Sequence, residues 1–248
     1  MHKVLLVTGG SRGIGAATAR LAAEKGWAVA VNYTTNSLAA DEVVRSIRAA
    51  GGTAMAVQAD VADEAQVMAM FNKVTAKLGA LSGLVNNAGV VDVTARLDEM
   101  SVARWKRMFD INVIGSLLCA REAVRRMSTR HGGAGGSIVN MSSAASRLGS
   151  PGQYLDYAAS KGAIDSMTLG LAKEVAAEGI RVNAVRPGLI DTELHASGGL
   201  PDRVRELAHQ VPIKRGGSAE EVAQAIVWLL SDEASYTTMS FLDVSGGR

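Results

Sequence analysis

The chain has 248 residues, 48% of them hydrophobic, with 26 Lys and Arg against 24 Asp and Glu. That length allows one large domain or two small ones with a substantial core, and the interspersed charges of both signs give nucleic-acid binding no compositional support. The single cysteine, Cys119, excludes an internal disulfide and a cysteine-cluster metal site, and no apolar stretch suits a signal peptide or a membrane span, so the expectation is a cytoplasmic protein with no membrane partner.

Short apolar runs alternate with longer stretches of helical period, the pattern of βαβ units feeding a parallel sheet. Residues 3–8 read as a strand and 13–25 as an alanine-rich helix, joined by Thr8-Gly9-Gly10-Ser11-Arg12-Gly13-Ile14-Gly15. A strand-to-helix turn that receives a pyrophosphate needs close backbone approach and a helix N-terminus whose free N–H groups favour anions. Glycines meet these demands. The spacing Gly-x-x-x-Gly-x-Gly departs from Gly-x-Gly-x-x-Gly, and a glycine turn alone is weak; its place after the first strand carries the reading.

The second strand, 28–33, holds Asn32 where an acidic residue normally bonds the adenosine ribose of NAD. With no carboxylate there to repel a 2′-phosphate, and Arg12 able to pair with one, the expected cofactor is NADP(H) in preference to NAD(H).

A helix at 38–50, a strand at 54–58, a helix at 64–78 and a strand at 83–86 continue the series. One long helix is expected over 101–127 with Ser101 as its N-cap. Asn112 lies inside it, a poor choice because its side chain competes with the backbone. Arg121, Arg125, Arg126 and Arg130 gather toward its end, where the helix dipole favours cations without any partner. The Gly132 to Gly136 run reads as a flexible connection into a strand at 137–142.

The helix expected over 157–177 carries Tyr157 and Lys161 on one face, with Cβ atoms at such spacing about 5–6 Å apart, so that an ammonium can favour a phenolate beside it. After a strand at 181–186 the segment 189–217 is irregular, with a short helical stretch, in the manner of a lid. A helix at 220–230, capped by Ser218, and a strand at 240–244 close the chain. The four histidines, His2, His131, His195 and His209, lack metal-ligand spacing and read as structural or surface residues. The predicted architecture is α/β: residues 1–248 form one single-domain Rossmann fold, a doubly wound parallel sheet with helices on both faces.

Taken in order, the Thr8 to Gly15 turn, Asp60-Val61, Asn86-Asn87-Ala88-Gly89, Asn112, Ser143, the Tyr157/Lys161 pair and Pro187-Gly188 make the chain resemble the short-chain dehydrogenase/reductase (SDR) family over essentially its whole length. The resemblance implies that Tyr157 is the general acid or base, that Lys161 lowers its pKa and holds the nicotinamide ribose, and that Ser143 positions the substrate oxygen. Asn112 would hold a water linking Lys161 to solvent. Cofactor contacts are implied for Gly9, Ser11, Arg12, Gly13, Ile14, Gly15 and Asn32. They are implied too for Asp60 and Val61 at the adenine, for Asn87, Ala88 and Gly89 at the central wall, and for Pro187, Gly188, Ile190 and Thr192 at the nicotinamide. One departure is that Tyr157 stands fourteen positions after Ser143, one more than in many members, with Ser142 as the alternative serine.

The implied activity is hydride transfer between NADP(H) and a carbonyl or secondary alcohol, on a sugar or polyol in the manner of glucose dehydrogenases, or alternatively on a 3-oxoacyl carrier protein. A reading of another class is a non-catalytic NADPH-binding regulator. The resemblance also implies a homotetramer packed through the helices at 101–127 and 157–177 and the last strand.

Overall fold

The computed structural model describes residues 3–194, 198–200 and 202–248, so the expectations for His2 and His195 lie outside the described residues. Seven strands form the sheet: β1 (Val4–Val7), β2 (Ala28–Tyr33), β3 (Ala54–Gln58), β4 (Leu81–Asn86), β5 (Gly136–Met141), β6 (Ile180–Pro187) and β7 (Phe241–Val244). Their order is β3-β2-β1-β4-β5-β6-β7, parallel throughout. The central strands are covered on both faces, which is why β1 is the unbroken run Val-Leu-Leu-Val, all buried.

One face of the sheet is covered by α1 (Gly13–Glu24), α2 (Ser37–Ala49) and a late helix, Ala219–Leu230, around Val29, Val43 and Ile226. The other is covered by α3 (Glu64–Leu78), by α5 (Gly115–Met127), which follows α4 (Val102–Phe109), and by α7 (Leu155–Val175), which follows the short α6 (Ala145–Leu148), around Phe71, Leu84 and Ile138. After α8 (Arg203–Leu207), the late helix is α9. Strand order reverses between β1 and β4, and this switch opens a crevice at the carboxyl ends of the strands. Ser218 caps α9 in a reciprocal box with Glu221, as its position predicts.

Three expectations need correction. The helix over 101–127 is two helices, α4 and α5, separated by a π-helical turn at Asp110–Ile114 that holds Asn112. The Asn112 carboxamide bonds the Val90 backbone on both sides, Oδ1 accepting from its N–H at 2.8 Å and Nδ2 donating to its C=O at 3.0 Å, which draws the helix toward the β4 loop.

The Gly132 to Gly136 run is no flexible tether: a Cβ on Gly133 would lie 2.4 Å from the Met127 carbonyl, and one on Gly135 would lie 2.5 Å from the Gly179 carbonyl, so backbones pack there directly. The arginines of α5 have a specific partner. Arg121, Arg125 and Arg126 converge on the buried Glu122 carboxylate, at 3.3, 2.8 and 2.6 Å. Burial alone would raise that carboxyl, but the bond and charge of Arg126, then of Arg125, hold it below its ordinary value.

Candidate active site

The crevice contains a cavity of about 640 Å³ that runs from the glycine turn to the N-terminal end of α7. It has the size of a cofactor-plus-substrate site. At one end Gly9 and Gly13 have left-handed backbone, with φ of 59° and 50°, and a Cβ on Gly15 would lie 2.4 Å from the Gly9 carbonyl. Only glycine fits this approach.

Thr8 and Asn87 lock the turn against β4. Thr8 Oγ1 accepts from the Asn87 and Ala88 N–H groups at 2.9 and 3.0 Å, and Asn87 Nδ2 donates to the Thr8 and Gly9 carbonyls, both at 2.9 Å. Helix α1 begins at this turn with no side-chain cap and no acidic residue in its first turn. Its free N–H groups and dipole therefore face the cavity ready for an anion, and these residues fit the pyrophosphate of a dinucleotide.

Asn32 is not in that cavity. Its side chain is buried: Oδ1 accepts from the Gly9 N–H at 3.1 Å, and Nδ2 donates to the Ala59 carbonyl at 3.0 Å and the Val57 carbonyl at 3.3 Å. It ties β2 to the glycine turn and β3. The next residues, Tyr33, Thr34, Thr35 and Asn36, line the cavity in its place. Strand alternation turns Asn32 inward while its neighbour Tyr33 faces out. Asp60 and Val61 also line the cavity, as do Ser11, Arg12, Ile14, Ala88 and Gly89.

Pro187, Gly188, Ile190 and Thr192 form the opposite wall. A Cβ on Gly188 would lie 2.7 Å from Ser245 Cα, so β6 leaves the sheet pressed against the chain after β7.

At the other end, α7 brings Tyr157 and Lys161 to the cavity wall together with Ser143 from the end of β5. Lys161 is buried, its Nζ donating to the Met141 carbonyl at 2.6 Å and lying 5.6 Å from the centre of the Tyr157 ring. Burial lowers its pKa to about 8, against a smaller opposing pull from Asp165. Burial raises the Tyr157 phenol above its ordinary value, and the hydrogen bond from Ser143 pulls it back down. Ser143 thus favours the phenolate, and the Lys161 ammonium, 5.6 Å from the ring centre, is held by the Met141 carbonyl.

The two candidate serines differ in where they point. Ser142 is buried and donates to the Lys161 backbone carbonyl at 3.3 Å, whereas Ser143 is half-buried beside Tyr157 and accepts from the Ala145 N–H at 3.1 Å. Asn112 stands behind the wall and not on it. Its Nδ2 reaches Ser160 Oγ at 3.1 Å, and Ser160 Oγ donates to the Tyr157 carbonyl at 2.7 Å. A side chain at Gly89 would meet both Asn112 Oδ1, at 3.3 Å, and Lys161 Nζ, at 3.6 Å.

The N-terminal turn of α7 is anchored by a pair that the spacing of motifs did not bring out. The Arg104 guanidinium binds the Asp156 carboxylate twice, at 2.7 and 3.1 Å, and donates to the Val93 carbonyl at 2.6 Å; Asp156 Oδ1 also accepts from the Tyr157 N–H at 2.9 Å. Asp156 carries one legible signal, an acid in the first turn of a helix. Arg104, 52 positions earlier, carries none.

A family model described as Enoyl-(Acyl carrier protein) reductase matches residues 9–248. An oxidoreductase of uncharacterised activity from Escherichia coli (strain K12) is 58% identical over 245 residues, 99% of each chain. A cis-4-hydroxycyclohexanecarboxylate dehydrogenase from Sinomonas cyclohexanicum is 45% identical over 99% of this chain and 96% of its own. The crystal structure of a dehydrogenase/reductase from Sinorhizobium meliloti 1021 superposes with a TM-score of 0.91 at 32% identity, covering 99% of this chain and 94% of that one. Among the described residues no helix is long and apolar enough to cross a membrane. Matched in this way from the glycine turn to its last residue, and sharing sequence as well as fold with oxidoreductases, the chain belongs to the short-chain dehydrogenase/reductase family.

Proposed function

We propose that the protein is an NADP(H)-dependent oxidoreductase, in which Tyr157 gives a proton to a carbonyl oxygen during reduction or takes it from an alcohol during oxidation. The observation that carries this reading is that Ser143, Tyr157 and Lys161 share one cavity with the uncapped N-terminus of α1. A bound nicotinamide supplies the hydride donor or acceptor. The chain's part is to hold the reacting carbon and the proton donor in register: Ser143 orients the substrate oxygen, Lys161 holds the nicotinamide ribose, and Asn112 stands on the path by which Lys161 regains its proton.

The preference for NADP(H) rests on two features. The residues that line the cavity from the end of β2, Tyr33 to Asn36, include no acid, and Arg12 of the glycine turn lines the same cavity. Arg12 faces Glu193 only at 3.9 Å, with both side chains exposed, a weak attachment that leaves it able to turn to a phosphate.

Leu194, after β6, and Arg203, at the start of α8, line the side of the cavity assigned to the substrate. A sugar or polyol is the leading neutral substrate class and a 3-oxoacyl carrier protein the alternative, the latter supported by the name of the matching family model. A cytoplasmic homotetramer completes the reading. Gly162 and Gly170 on α7 face open space, and Phe109, Ile114, Leu117 and Leu169 are exposed, which supports assembly through α5 and α7. Light scattering is expected to return four chains; the mass of one chain would remove this part.

Steady-state oxidation of NADPH and NADH across small ketones, keto sugars and 3-oxoacyl thioesters tests the function. Turnover with NADPH preferred is expected, a preference for NADH would overturn the cofactor assignment, and cofactor binding without turnover on any class would favour a non-catalytic NADPH-binding regulator. Removing the Ser143 hydroxyl in Ser143→Ala is expected to lower kcat by about 10²–10³-fold. A collapse confined to Ser142→Ala would reverse the choice of serine.

A further inference from the structure

Helix α7 is tied to its neighbours by two forked arginine–aspartate pairs, and Tyr157 and Lys161 lie between them in sequence. The first, Arg104 with Asp156, directly precedes Tyr157. The second joins Asp165, one helical turn beyond Lys161, to Arg186 of β6. Arg186 Nη2 donates to Asp165 Oδ2 at 3.0 Å, and Nε reaches Oδ2 at 3.2 Å and Oδ1 at 3.3 Å. Both side chains are only 16% exposed. Arg186 is seated further by the Phe241 ring of β7, whose centre lies 4.1 Å from the guanidinium carbon, and by Asp243 at 3.9 Å.

Removing two charges from water is costly, and two apolar side chains would tie α7 to β6 at least as well. What an ion pair adds is direction and charge. A planar guanidinium meeting a carboxylate through two nitrogens fixes angle as well as distance. Arg186 directly precedes Pro187 and Gly188, which line the cavity, so the fork sets the helix bearing Lys161 against that wall.

The charge acts along the helix. Residues four apart have Cβ atoms about 5–6 Å apart, which brings the Asp165 carboxylate within reach of Lys161. It opposes the burial that takes Lys161 down to about 8. The groups that meet Lys161 from other elements are the Met141 carbonyl and Ser142 at the end of β5 and Asn112 of the π-helical turn, none of them charged. On α7 itself the Tyr157 phenol is kept neutral by burial.

We propose that Asp165 and Arg186 are positioning residues that act through Lys161: their fork holds the Lys161 turn of α7 against the strand end leading to Pro187, with the Asp165 carboxylate supporting the ammonium. The duty of that ammonium at the nicotinamide ribose rests on the oxidoreductase reading above; the hold of the pair on Lys161 does not.

NMR titration of the lysine Cε resonances, with Lys161 assigned through Lys161→Met, tests the pair without cofactor or turnover. The parent is expected to titrate near 8. Asp165→Asn, which keeps the shape and loses the charge, is expected to move the midpoint down by about one pH unit, and Arg186→Met to move it up by freeing the carboxylate. Arg186→Lys, which keeps the charge and loses the fork, is expected to titrate close to the parent. A fold defect would move the Asn and Met variants the same way, so shifts of one sign, or unmoved midpoints in both, overturn the proposal. At a pH of about 8, a one-unit fall takes Lys161 from about half to about a tenth protonated, and NADPH binding by Asp165→Asn is expected to weaken about fivefold. Opposite shifts with unchanged NADPH affinity would leave the pair's hold on Lys161 standing and remove Lys161 from the cofactor ribose.

Discussion

Tyr157→Phe is expected to lower kcat by about 10²–10⁴-fold, the range that a positioned general acid or base contributes, while NADPH affinity stays close to that of the parent. The substitution removes one oxygen and leaves the ring in place. The ring, which lies 5.6 Å from Lys161 Nζ and lines the cavity, stays, so the cavity keeps its shape. Burial raises the phenol, which keeps it protonated at neutral pH and suits it to give a proton, while the Ser143 hydrogen bond prepares it to hold the charge that follows.

Lys161→Met should instead weaken both turnover and NADPH binding, because it removes the buried ammonium, fixed by the Met141 carbonyl, that is proposed to hold the nicotinamide ribose. Single-turnover rates and fluorescence titration with NADPH separate the two effects. Parent-like turnover in Tyr157→Phe would end the assignment.

Arg104→Ala is expected to destabilise the fold by about 3 kcal/mol, the lower end of what breaking a buried ion pair costs. The side chains of Arg104 and Asp156 are only 9% and 2% exposed, so solvent gives the stranded carboxylate little relief. The lower end applies because Asp156 keeps the Tyr157 N–H bond and the favourable dipole at the start of α7. For a chain of this size that loss lowers Tm by roughly 6–12 °C.

Arg104→Lys keeps a charge but not the two-pronged contact and should fall between parent and Ala. Urea denaturation reads these differences, and a loss below about 1 kcal/mol in Arg104→Ala would show that the pair anchors nothing. Since Asp156 directly precedes Tyr157, the Ala variant should also lower kcat more than it raises KM, by loosening the turn that aims the phenol.

Several parts of this site were legible because their physics is local. A glycine turn between a strand and a helix, a continuous apolar run for β1, and a Tyr and a Lys one helical turn apart each depend on residues within a few positions. Asn112 was legible as an oddity, a polar residue inside a helical pattern. What it does, bonding both sides of Val90, depends on a loop 22 positions away and so carried no local sign. Asn32 shows the opposite failure. Its place at the end of β2 was read correctly, but the direction of its side chain depends on strand alternation and on what lies beneath, and Gly9, Val57 and Ala59 take it up.

By itself the sequence determined the α/β alternation, the glycine turn between β1 and α1 and the placing of Tyr157 and Lys161 on one helical face, because period, glycine spacing and helical spacing are properties of short stretches. Only the tertiary structure decided which serine meets Tyr157, that Glu122 answers the α5 arginines, that Arg104 anchors Asp156, and that Arg186 binds Asp165. Those outcomes depend on burial and on contacts between distant segments, where removal from water sets the charge each group can keep and the partner it must find.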